Sequence, residues 1–168
     1  VRDDVTDCVT VPDHRAVIAE HQPDAVVVLF GEFPNQAAEV DGRWTMPCQR
    51  SYLEPYGARL EAMLTDLASG GAPVLLLTAP GSDLAWVVDR VEPGMAERVA
   101  CSNAQLRELA DRVPGVQIAD LEALVCPGGP CPDRLDGIDL RPDGLHFEGD
   151  GALLVNRWLV EQVREAVG

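Results

Sequence analysis

Three short apolar runs constrain this chain more than any other feature. Ala25-Val26-Val27-Val28-Leu29-Phe30, Val74-Leu75-Leu76-Leu77-Thr78 and Val116-Gln117-Ile118-Ala119-Asp120 are each strand-sized, and the first two show no polar alternation. A run of that kind reads as a strand covered on both faces, as in a parallel sheet with helices on either side. The segments between them have helical spacing. In Gln49 to Ser69, Tyr52, Tyr56, Leu60, Met63, Leu64 and Leu67 recur at three- and four-residue steps, with Pro55 near the start and Gly70-Gly71 at the end. Met95 to Arg112 carries Val99, Leu106 and Leu109, with Val113 just beyond, as one stripe. Gly149 to Val167 carries Leu153, Leu154, Trp158, Val160 and Val163. Pro12 to His21 reads as a shorter helix with Asp13 as its cap. Strands alternating with helices of this length imply βαβ units and a mainly parallel sheet. At 168 residues the chain suits one domain, without repeats. Asn35 to Pro47 and the Pro/Gly-rich Cys126 to Pro142 read as loops, and Ser82 to Pro93, between them, as a loop with some helix; Cys126 to Pro142 is the longest. A loop as long as Cys126 to Pro142 suggests function.

Charge narrows the partners. A formal charge of −15 and no basic cluster argue against nucleic acid and anionic membrane surfaces, which are themselves negative. No apolar run approaches the roughly 20 residues of a membrane span. The polar opening Val1-Arg2-Asp3-Asp4 does not resemble a signal peptide.

Five cysteines leave two readings open. Cys126 and Cys131 bracket Pro127-Gly128-Gly129-Pro130 and suit a small-loop disulfide. The odd count also fits five reduced thiols. A zinc site from Cys126, Cys131 and His146 is disfavoured, because the cysteine spacing is wide and no fourth ligand completes it.

The chemistry-bearing motif is Arg141-Pro142-Asp143-Gly144-Leu145-His146-Phe147, just before the last helix. A histidine serves as general base near neutral pH when its tautomer is held, and a carboxylate accepting the Nδ1 hydrogen does this. Two intervening residues on a turn let Asp143 and His146 face one side, and Gly144 permits the tight backbone. By itself the pair also reads as an aspartate capping a turn beside an ordinary histidine.

Asp143-Gly144-Leu145-His146-Phe147, followed by Gly151-Ala152 and a helix with Trp158, resembles the last motif block of SGNH (GDSL-type) hydrolases. More narrowly, the chain is similar to the SGNH domains fused to bacterial membrane acyltransferases that O-acylate cell-surface glycans. Pro23 to Gly31, Asp41-Gly42-Arg43-Trp44, Gly71 to Thr78, the helix around Asn103, and Asp120-Leu121 leading to Cys126-Pro127-Gly128-Gly129 extend the likeness from about residue 12 to the C-terminus. The resemblance implies a three-layer α/β/α fold of the SGNH-hydrolase (flavodoxin-like) type. Asp143 would orient and His146 would be the base, with the Gly31 backbone N–H in the oxyanion hole. Gly31 reads equally well as a strand-terminating glycine. The implied substrate is an acyl ester, of a small molecule or a cell-surface glycan, with neither metal nor organic cofactor.

Two departures qualify the likeness. Where the family's Gly-x-Asn-Asp block would place asparagine, this chain has Phe33, with Asn35 two residues later, although acyltransferase-fused relatives often carry an aromatic variant there. The chain also has no Gly-Asp-Ser, the family's nucleophile on its first strand. The domain over residues 1–168 is therefore expected to be N-terminally incomplete, with Cys8 parted from an upstream cysteine, or to have lost its nucleophile. Gly81-Ser82-Asp83 offers Ser82 as a substitute, whereas Ser51, Ser69 and Ser102 read as structural. A non-catalytic glycan- or protein-binding domain, in which Trp44 and Trp86 matter more, is the rival reading. Loss of a central first strand would expose Ala25 to Phe30 as an edge, from which a homodimer is expected.

Overall fold

The computed structural model describes residues 13–30, 38–40, 42–81, 94–129 and 131–168. The elements run α1 (His14–His21), β1 (Val26–Leu29), β2 (Ala38–Val40), β3 (Arg43–Thr45), α2 (Arg50–Leu67), a 3-10 turn (Ala68–Gly70), β4 (Val74–Leu77), α3 (Met95–Arg112), β5 (Val116–Ala119), α4 (Leu121–Val125), β6 (Arg134–Leu135), β7 (Ile138–Asp139) and α5 (Gly149–Val167). β1, β4 and β5 form a parallel sheet in the order β1-β4-β5, with Val26 level with Val74 and Val74 level with Val116.

Pleat alternation splits the sheet's side chains between two layers. Val74 and Leu76 point into a core with Leu60 and Leu64 of α2 and with Leu106, Leu109 and Val113 at α3. Leu75 and Leu77 point the other way, into a core with Leu121 and Val125 of α4, Leu140, and Val155 of α5. The result is a three-layer α/β/α domain. Each fully buried leucine, such as Leu64, Leu76 or Leu109, contributes about 1.5–3 kcal/mol through loss of apolar contact with water. No described helix is long and apolar enough to cross a membrane.

The structure revises the reading of β1. Continuous apolarity implied cover on both faces, yet only Val26 and Val28 pack on the α2/α3 core. Val27 is 40% and Leu29 52% exposed. They share the face of Leu75 and Leu77, over which α5 lies. The Val26 N–H donates to Pro73 O at 2.9 Å, so Val26 and Val28 spend their backbone groups on β4. By the alternation of a parallel ladder, Val27 and Leu29 direct theirs outward. No described strand lies beyond β1.

Other differences are local. The loops expected at 35–47 and 126–142 hold two antiparallel hairpins, β2-β3 and β6-β7. Gly42, at φ 73°, precedes β3 in the first, and Asp136 and Gly137, at φ 52° and 82°, join the strands of the second. Positive φ at both central residues, as at Asp136-Gly137, is what a type I′ turn needs. On α5, Leu153 (52%) and Val160 (48%) are exposed, while Leu154, Trp158 and Val163 pack inward as expected.

Two disulfides are present among the described residues. Cys126–Cys131 joins the expected pair, and Cys48–Cys101, which the spacing did not suggest, ties the turn before α2 to α3 across 53 residues. Closing a loop of that length restricts the unfolded chain by about 2–4 kcal/mol. Because Cys126 and Cys131 are bonded to each other, neither sulfur is a free thiolate for zinc.

Candidate active site

The carboxyl ends of β4 and β5 are stitched together by polar side chains. The Thr78 hydroxyl donates to Asp120 Oδ1 at 2.8 Å and accepts from the Glu122 N–H at 2.9 Å. Asp120 also caps α4 through the Ala123 N–H at 3.1 Å and pairs with Arg107 Nη2 at 2.9 Å. Burial pushes the Asp120 carboxyl up, but the hydrogen bonds from Arg107, Thr78 and Ala123 outweigh it and hold the group below its ordinary range. Asn103, fully buried on α3, clamps the residue after Thr78. Its Oδ1 accepts from the Ala79 N–H at 2.9 Å, and its Nδ2 donates to Ala79 O at 2.8 Å. Nothing in the spacing of α3 marks Asn103 for this task. Its sequence signals are the likeness of the surrounding helix to the SGNH family and an asparagine on the buried face.

Onto this edge the loop between β7 and α5 is pinned. Leu140 is buried, and Arg141 Nη1 donates to Gly81 O at 2.5 Å, four residues past the end of β4. The Asp143 turn therefore sits at the carboxyl edge of the sheet, where α/β folds gather their sites. The Gly144 N–H donates to Arg141 O at 2.7 Å, with Gly144 at φ 75°, a conformation that favours glycine.

Asp143 is used on both oxygens. Oδ1 accepts from the Leu145 and His146 N–H groups at 2.9 and 2.7 Å, and Oδ2 lies 2.6 Å from His146 Nδ1. The capping contacts fix the backbone, and the same carboxylate meets the ring. With Nδ1 on the carboxylate, Nε2 is left to face outward, and the His146 side chain is 66% exposed.

The His146 ring, then its N–H and that of Leu145, hold the Asp143 carboxyl well below the usual carboxylate range, at about 2. A lowered folded pKa stabilises above the unfolded value near 4 and is lost as pH falls through the folded one. In a ¹³C carboxyl titration, Asp143 is expected to show a midpoint near 2. Order in the turn should persist at pH 4 and melt below about 3, between those two values. A midpoint near 4 would mean that the turn does not hold the carboxylate in solution.

Among the described residues, none of the other expected site residues is hydrogen-bonded to this pair. Gly31, Phe33, Asn35, Ser82 and Trp86 lie outside the described residues. Ser51 hydrogen-bonds Thr45, Ser69 donates to Asp66 O, and Ser102 is buried in α3. None of these three is hydrogen-bonded to His146, whose partners among the described residues are all on Asp143. Trp44 is 72% exposed on β3.

No curated protein matches the chain. A family model described as protein of unknown function (DUF459) matches residues 2–162, nearly the whole length. The chain, with its Asp143–His146 turn on the carboxyl edge of a parallel sheet, belongs to this DUF459 family.

Proposed function

We propose that Asp143 and His146 are the acid–base half of an SGNH (GDSL-type) esterase or acyltransferase site acting on acyl esters of carbohydrates or cell-surface glycans. The observation that carries this reading is the 2.6 Å contact of His146 Nδ1 with Asp143 Oδ2, which leaves Nε2 available at the carboxyl edge of the sheet. The Asp-Gly-Leu-His block and its helix support the family; the glycan substrate rests on the narrower resemblance to acyltransferase-fused domains. In the reaction, a serine hydroxyl attacks the ester carbonyl while Nε2 takes its proton. The leaving alcohol takes that proton back as the acyl–oxygen bond breaks, and water or a sugar hydroxyl then accepts the acyl group with the same base. Within this sequence Gly81-Ser82-Asp83 offers Ser82 as that serine.

Hydrolysis of p-nitrophenyl acetate, compared with His146→Ala, tests the reading. Equal rates in the two proteins would overturn it. The rival, a glycan- or protein-binding domain without turnover, draws on the exposed Trp44. Glycan binding retained in His146→Ala, with no ester turnover in either protein, would favour it.

The outward backbone of Val27 and Leu29, beneath exposed apolar side chains, is a template for strand pairing. We propose that two chains associate through this edge. Light scattering should report a dimer, and Leu29→Lys, which puts a charge on the pairing strand, should shift it to monomer. A monodisperse, cooperatively melting monomer of the unaltered chain would refute the association.

A further inference from the structure

The Asp143 turn orders the His146 ring relative to Asp143, but nothing within that turn orients it relative to the sheet. A general base needs both, since misplacement by about 1 Å costs on the order of 10²-fold in rate. His146 is exposed, and its own hydrogen bonds among the described residues all return to Asp143. The bracing has to come from a neighbour.

Arg141 occupies that position. Its guanidinium donates to Gly81 O at 2.5 Å and lies over the Phe147 ring, 5.9 Å from the centroid. Its own carbonyl accepts the Gly144 N–H at 2.7 Å. One side chain thus spans the turn from the residue that opens it to the residue following His146, and fastens both to the segment after β4. That segment is itself fixed, because Ala79 is clamped on both backbone groups by the buried Asn103. The guanidinium can do this because its charge is attracted to the face of an aromatic ring while its N–H groups still donate. The half-buried setting keeps water from competing fully for the Gly81 carbonyl.

We infer that Arg141 is a positioning residue: through Gly81 and Phe147 it registers the Asp143–His146 turn against the sheet and so sets where Nε2 points. The inference rests on the reading of His146 as the base, and the test separates the two. Arg141→Ala, Arg141→Lys and His146→Ala are compared by amide exchange at Leu145 and His146 and by kcat and KM on p-nitrophenyl acetate. In Arg141→Ala, exchange at those amides should rise about tenfold while Leu76 and Leu109 are unchanged, and kcat should fall by about 10- to 100-fold at constant KM. Arg141→Lys should restore part of both, because an ammonium can still donate to the Gly81 carbonyl.

Unchanged exchange at Leu145 and His146 in Arg141→Ala would overturn the inference, as would unchanged kcat in a protein that His146→Ala inactivates. If no variant turns over ester, the esterase reading fails, and faster exchange confined to the turn still supports the bracing role. If Arg141→Ala also loosens Leu76, the lysine variant decides: turn amides that stay as protected as in the unaltered chain without a guanidinium over Phe147 would count against it.

Discussion

Replacing His146 by alanine is expected to lower kcat/KM for p-nitrophenyl acetate by about 10²–10⁴-fold, the usual contribution of a positioned general base. The fold itself should be unaffected, because the side chain is largely solvent-exposed and its side-chain hydrogen bond is to Asp143. Asp143→Asn is the sharper companion. The amide oxygen can still accept from the Leu145 and His146 N–H groups, so the turn should keep its shape. The amide nitrogen, however, would face Nδ1 with a donor, selecting the wrong imidazole tautomer and withdrawing the charge that stabilises the imidazolium. Activity should therefore fall by a similar factor in a protein whose Leu145 and His146 amides remain protected. If Asp143→Asn keeps full activity, Asp143 is a turn cap and no more, and the catalytic pairing is wrong.

The second large effect runs against helix propensity. Gly151 lies in the first turn of α5, where alanine would ordinarily stabilise by about 1 kcal/mol. Here a Cβ would meet the backbone of Leu140 at its carbonyl oxygen, with Leu140 Cα and C at 2.8 and 2.9 Å. Backbone cannot rotate aside as a side chain can. Overpacking of this kind costs about 1–3 kcal/mol or more, and it should win over the propensity gain. Gly151→Ala is expected to lower Tm by several degrees, at about 2–4 °C per kcal/mol for a domain of this size. The displacement falls at the joint between α5 and the residue preceding Arg141, so ester turnover should drop with it. An unchanged or raised Tm would show that Leu140 yields, and that the close approach is not a constraint.

The layers of this fold were legible because their signals are local. Three apolar runs and four helical stretches fall where the strands and main helices are, with Met95–Arg112 and Gly149–Val167 matching to the residue. The Asp143–His146 contact was legible for the same reason, since three residues on a glycine-containing turn leave few other geometries. The two hairpins are local features as well. Asp41-Gly42 and Asp136-Gly137 carry the turn chemistry that announces them, but the polar and Pro/Gly-rich composition around each pair reads as loop and masks the short strands.

What the sequence by itself determined, then, is the alternation of elements and the local turn that pairs a carboxylate with an imidazole. Tertiary structure alone decided which face of β1 is covered, since apolarity records only that Val27 and Leu29 could be buried, not whether a neighbour arrives. It decided that Leu153 and Val160 face outward on a helix whose apolar arc is wider than the core it meets. Pairing of Cys48 with Cys101, the Asn103 clamp on Ala79, the approach of Gly151 to Leu140 and the reach of Arg141 to Gly81 all join residues 11 to 60 positions apart. Periodicity and turn rules act over a few residues, whereas these contacts follow from how whole elements stack, which no short window of sequence contains.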